Sequence, residues 1–192
     1  MSTGQLFVMG SDTPSGWEAE EIVYYKMTFS ADGGLEFTFT KDSGVVENGD
    51  ITAFIAGLMA GKISGLTPLI YFDNAPNIYV RKSCYVVLQL DPSLNWRYMS
   101  AMPGLMTDQS LPDHYFDLIY VADDGSTTTG QAPPAGTPCH IAYFGVKTSS
   151  AEQGRVDPFN LYTDFDIRKG QILPIILDPD IKNDGTTPNW PP

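Results

Sequence analysis

Acid–base and metal chemistry needs imidazole, thiol or clustered carboxylates, and this chain supplies few of the first two. Its 192 residues hold two histidines, His114 and His140, and two cysteines, Cys84 and Cys139. Asp113-His114-Tyr-Phe-Asp117 sets carboxylates beside one imidazole, and Cys139-His140 sets a thiol beside the other. Brought together, His114, Asp117 and His140 would make an enzyme's acid–base site, or with a thiol a zinc or copper centre. The spacing argues against both uses. Neighbours on a strand face opposite sides, so Cys139 and His140 should not grip one ion. The plainer reading makes both histidines strand-start residues and both thiols small buried groups, with a disulfide between them disfavoured. The chain has no Gly-x-Ser-x-Gly elbow, Walker loop or dinucleotide fingerprint.

Two other chemistries have candidate residues. Asp178, Asp180, Asn183 and Asp184 crowd one segment before Gly185, and hard cations want several such oxygens. Lys182 stands where an EF-hand would have an oxygen ligand and no Glu closes the loop, so calcium is only a candidate here and no cofactor is expected. Trp96, Tyr98, Tyr162 and Trp190 could stack on a sugar or small ligand if exposed, although aromatics of this kind mostly fill cores and sheet faces.

The elements that would hold these groups are mainly strands. Ile22 to Phe29 alternates, with Val23, Tyr25, Met27 and Phe29 on one face and Ile22, Tyr24, Lys26 and Thr28 on the other. An Asp-Gly-Gly turn then leads into a second alternating run, Leu35 to Thr40, which together predict a β-hairpin. Further strands are expected over 68–72, 78–90, 115–122, 140–146, 159–167 and 172–177, the last an edge strand or a bulge because of Pro174. Residues 123–138 read as a long exposed loop.

One helix is expected, with a pair of bent strands as the alternative over the same segment. Asp50 can cap a segment, 51–63, whose Ile51, Phe54, Ile55, Leu58 and Met59 recur at helical spacing. Its other face is small rather than charged: Ala53, Ala56, Gly57, Ala60 and Gly61 would let it lie tightly on a sheet or on another subunit. The resulting expectation is a mainly β, antiparallel sandwich with one short helix. Residues 1–177 form the domain, and 178–192 an extended tail rich in Pro and Asp.

Charge narrows the partners. With 11 basic and 23 acidic residues the chain carries a formal −12, which repels phosphate backbones and anionic lipid surfaces. Nucleic acid and membrane insertion are therefore not expected, and a second copy or another protein is. Met1 to Gly10 offers neither a basic n-region nor a long apolar h-region, so the default expectation is a cytoplasmic protein, with signal-independent export compatible.

The C-terminal third resembles the AidA/PixA family of bacterial inclusion-body proteins. Asp157-Pro-Phe-Asn-Leu-Tyr162 begins an aromatic strand, Lys169-Gly170 makes a turn, and Leu173-Pro-Ile-Ile-Leu-Asp-Pro-Asp-Ile181 closes the run. The resemblance implies a β-sandwich, a non-enzymatic role and self-association into dense particles. The leading expectation is accordingly a non-catalytic, self-assembling or protein-binding domain. A carbohydrate or small-ligand module, calcium-assisted, is the alternative, and an enzyme using the His/Asp groups the third.

Overall fold

The computed structural model describes residues 7, 9–10, 12–29, 37–69, 77–100, 102–107, 111–130, 132–133, 136–149, 153–168 and 170–183. Among the described residues the fold is mainly β, sandwich-like, with two sheets and one α-helix. The first sheet is built on β1 (Glu21–Phe29), β6 (Cys84–Leu90), β9 (Tyr115–Ala122) and β11 (Cys139–Val146). Its edges are completed by β2 (Phe37–Phe39), β3 (Gly44–Glu47), β4 (Thr67–Pro68) and β10 (Thr127–Thr129), in the order β10-β9-β11-β6-β1-β3-β4, with β2 also on β1. The second sheet surrounds the long strand β12 (Arg155–Arg168), which pairs with β7 (Trp96–Tyr98), β8 (Leu105–Thr107), β13 (Gln171–Leu177) and β14 (Asp180–Asn183). On the far side of β14 lies β5 (Ile78–Val80).

The expected hairpin forms: Met27, Thr28 and Phe29 pair antiparallel with Phe39, Thr38 and Phe37. Both faces of β1 are covered, however. Val23, Tyr25 and Met27 enter the core between the sheets, whereas Ile22 and Tyr24 lie in a second apolar layer under the helix. The sheets are mixed. β1 runs parallel to β6 with Tyr24 opposite Val87 and Lys26 opposite Gln89, and β5 runs parallel to β14.

The helix α1 (Ile51–Met59) is shorter than segment 51–63, and its ends explain why. Asp50 caps it, accepting from the amides of Thr52 at 2.8 Å and Ala53 at 3.2 Å. At the other end the Lys62 amide donates to Gly57 O and the Gly61 amide to Leu58 O, while Gly61 takes φ 65°. That is a Schellman ending, so Gly61 is there for its left-handed backbone rather than for close packing. Leu58 is buried, and Ile51, Phe54 and Ile55 pack with it on the sheet. Ala53, Ala56, Ala60 and Gly61 are solvent-exposed, and a Cβ on Gly57 would meet nothing closer than 3.6 Å. The small-residue face thus makes no tight contact with the sheet.

Three further expectations change. The region 123–138 contains β10, which pairs Thr127 to Thr129 with Val121 to Ile119 and shortens the expected loop. Residues 78–90 form two strands, Ile78–Val80 and Cys84–Leu90, rather than one. The boundary drawn at residue 177 falls inside a continuous hairpin: Leu161 faces Leu177, Pro158 faces Asp180 and Arg155 faces Asn183 without a slip in register. Asp178 and Pro179 are a kink in that strand, not the start of a tail. Pro174 does sit on an edge strand, because β13 ends the sheet.

Candidate functional site

The groups singled out by chemistry are scattered. β9 and β11 are antiparallel, with His140 at the Ala122 end and His114 at the Val146 end. From residue 140 to 147, whose amide donates to His114 O, the strand covers about 23 Å, so the imidazoles cannot act together. His140 instead pairs with Asp123, Nδ1 to Oδ1 at 2.7 Å. Asp117 sits at a bulge with φ 54° and accepts from the Thr13 hydroxyl. Cys139 points into the inter-sheet core, where burial and, less strongly, the nearby Asp123 push its thiol up to about 12. Burial likewise raises Cys84, with Glu21 and Glu20 adding to it. Neither thiol is a nucleophile in waiting.

Trp96 and Tyr98 are core residues. The Trp96 indole N–H donates to Thr163 Oγ1 at 2.8 Å, and the Tyr98 hydroxyl donates to Leu88 O. Tyr162 is buried as well. None of the three offers a ring face to a ligand. Asp178 is exposed at the β13–β14 kink, and the Asp180 amide is held by Asn77 Oδ1, both in the other sheet from His114 and Asp117. Among the described residues no group of three or more His, Cys, Asp or Glu could hold a metal ion. Trp190 and Asp184 lie outside the described residues.

The arrangement with most chemical promise lies where α1 stops covering the first sheet. The outer face of β1 runs Ile22, Tyr24, Lys26, and that of β6 runs Tyr85, Val87, Gln89; the helix covers the apolar part and leaves Lys26 and Gln89 beyond its end. On the other side of β1, the reversal between β2 and β3 projects Lys41 and Asp42. It is tied down by the Lys26 amide on Ser43 Oγ and the Ser43 amide on Thr40 O. The chain leaving α1 supplies Gly61 and Ile63 to Leu66 as a wall before joining β3 as β4.

Together these residues enclose a cleft of about 390 Å³, inside the size range of small-molecule sites. Its floor is Tyr24, Lys26 and Gln89, and Leu58, Ile63 and Leu66 make it partly apolar. Lys26 Nζ contacts Asp42 Oδ2 at 3.1 Å, and the Tyr24 hydroxyl donates to Gln89 Oε1 at 2.5 Å. Burial keeps the Tyr24 phenol protonated well above its ordinary range, and the Asp42 charge works in the same direction. Two lysines and one aspartate line the cleft, one more cation than anion on an acidic chain, with Asp91 also within electrostatic reach of Lys26. Such a site suits an anion with an organic part: Lys26 stands directly opposite Gln89 on the neighbouring strand, about one strand spacing or roughly 5 Å away, with the Tyr24 phenol beside the amide.

Sequence reading missed this site. The signals were small: a lysine ending the Ile22, Tyr24 face and a glutamine ending Tyr85, Val87. What joins them is the parallel pairing of β1 with β6, which no local pattern encodes.

The family model described as pNTSase1, Predicted novel nucleotide synthetase, matches residues 25–186, and the chain belongs to that family. No curated protein and no solved structure matches it. The family replaces the AidA/PixA resemblance, whose strand-turn-strand motif is common to many sheets. It also overturns the expectation of a non-catalytic self-assembling structural protein.

Proposed function

We propose, with that family membership as the premise, that this chain is an enzyme of nucleotide synthesis and binds its nucleotide in the cleft beside α1. The carrying observation is the convergence of Lys26 and Lys41 on a cleft of nucleotide size in a chain of net charge −12. Ammonium groups on phosphate make charge-assisted hydrogen bonds, and scattered surface lysines would not do so in concert. Lys26 and Lys41 hold the phosphate end. Asp42 orients Lys26 through their ion pair and offers its other oxygen to a ribose hydroxyl. Tyr24, Leu58 and Leu66 give the base an apolar seat, and Ser64 adds a hydroxyl at the wall.

A nucleotide is compatible with the acidic total because it asks for two local cations rather than a basic face. The expectation that nucleic acid is not a partner stands beside this reading. Cytoplasmic residence fits it too, supported by Cys84 and Cys139, which are buried and unpaired.

Calorimetric titration with nucleoside triphosphates and magnesium tests the proposal. The Lys26→Ala/Lys41→Ala protein should bind about a hundredfold or more weakly, since each charged hydrogen bond contributes roughly 1.5–3 kcal/mol. A wild-type chain that takes up no nucleotide at millimolar concentration, or a double variant that binds as tightly, contradicts it.

A further inference from the structure

We infer that a second cavity, separate from the cleft beside α1, binds a small phosphate-class oxyanion on Arg97, Ser100 and Thr137. The inference is independent of the nucleotide reading, because it rests on other residues in the other sheet.

The sequence sets Arg97 between Trp96 and Tyr98 on β7, and successive side chains on a strand face opposite ways. Trp96 and Tyr98 both enter the core between the sheets, so Arg97 projects from the outer face of the second sheet. There it is half-buried, yet among the described residues it makes no hydrogen bond and no ion pair. Asp164 is its cross-strand neighbour on β12 but forms no ion pair with it. Burial raises the Asp164 carboxyl above its ordinary range, outweighing the pull of Arg97. A guanidinium carries five N–H donors, and one left open beside a cavity calls for an acceptor.

The cavity lies along β7, where the chain approaching β11 and Ser100 enclose about 250 Å³. That chain is anchored on both sides. The Thr128 hydroxyl donates to Ala132 O at 3.0 Å, and the Asp123 amide donates to Pro138 O at 3.0 Å. β7 is fixed in turn by the Met99 amide on Tyr162 O. Gly136 takes φ 85°, a turn that a side chain would strain.

The polar lining is rich in donors. The Arg97 fork, the hydroxyls of Ser100 and Thr137, and the amides of Ser100, Gly136 and Thr137 have no protein acceptor among the described residues. The Tyr98 hydroxyl is already engaged by Leu88 O. No carboxylate lines the cavity, although the chain has 23 acidic residues. Size then fixes the class of ligand. The cavity falls below the roughly 300 Å³ at which small-molecule sites begin, which suits phosphate or a short phosphate monoester rather than a nucleotide. A guanidinium fork takes two phosphate oxygens side by side and leaves the others for the hydroxyls. A planar carboxylate would fill the fork and leave the hydroxyls over.

Amide NMR of the isotope-labelled full chain, titrated with inorganic phosphate at constant ionic strength, tests the inference. The amides of Ser100, Gly136 and Thr137 should move together along one saturable curve at millimolar phosphate. Arg97→Ala removes a side chain with no protein partner and should weaken that curve about tenfold or more, through loss of charged hydrogen bonds. Thr137→Val, which keeps the shape and removes the hydroxyl, should weaken it by about threefold or more. Acetate should act on the same amides about tenfold more weakly. The Lys26→Ala/Lys41→Ala protein should give the wild-type curve, which separates this cavity from the cleft. Three amides unmoved by phosphate, or a curve unchanged in Arg97→Ala, would overturn the inference. A curve lost in the lysine variant would assign the anion to the cleft and overturn it equally. Acetate bound as tightly as phosphate would overturn the phosphate class.

Discussion

At the scale of single residues, burial separates groups that merely occupy the core from groups that can act. Trp96 and Tyr98 have the composition of a stacking platform, yet their polar tips are satisfied internally by Thr163 and Leu88. Residue type alone does not say which way an aromatic faces, and burial places both with the core aromatics that the sequence made the commoner case. Glu21 is the opposite case. It is 1% exposed, its Oε2 accepts no hydrogen bond, and Lys82 Nζ stands 4.0 Å off while contacting Glu47 at 3.1 Å. Burial raises its pKa above the ordinary carboxylate range, outweighing the opposite pull of Arg81 and Lys82. A raised folded value means that its contribution to stability is full below the unfolded carboxylate's pKa. That contribution is lost as pH climbs through the folded value. Glu21→Gln, neutral at every pH, should therefore stabilise the protein near pH 7.5 by about 1 kcal/mol and have little effect near pH 4. Calorimetric melting at the two pH values checks this; a variant less stable at both would show the carboxylate to be a satisfied structural group.

At the scale of elements, what was legible is what local pattern encodes. The alternation in Ile22 to Phe29, the Asp50 cap and the Pro174 edge each predicted their element because the physics is confined to a few adjacent residues. The helix was drawn too long because Ala60, Gly61 and Ile63 continue the spacing, while the Schellman ending that stops it shows only in backbone geometry. The bulges in the β9–β11 ladder were equally hidden. Gly145 illustrates the tertiary constraint: a Cβ there would stand 2.3 Å from the ring of Phe116, which is fully buried and stacked edge-on by Trp17. Gly145→Ala should cost about 1–3 kcal/mol by overpacking, read as a lower Tm. Phe116→Leu in the same chain should recover part of it; if Gly145→Ala melts like the wild type, the ladder is looser there than the packing implies.

At the scale of the molecule, the two-sheet architecture followed from composition, but the function did not. Low charge and the absence of familiar motifs suggested a passive assembly protein, and that suggestion gave weight to missing signatures. The candidate site is composed across distances the sequence does not join: Tyr24 and Lys26 on β1, Gln89 on β6, 65 residues after Tyr24, Lys41 and Asp42 at a reversal, and the chain that leaves α1. The convergence of its two lysines is likewise invisible in a total of −12, because the surrounding carboxylates dominate the sum.

The most direct test of the central claim is amide NMR of the isotope-labelled chain titrated with GTP. Shifts should concentrate on Lys26, Lys41 to Ser43, Ser64 to Leu66 and Gln89, and spare the Asp123–Gly125 turn on the other side of α1. Shifts centred on that turn, or none at saturating nucleotide, would contradict the claim.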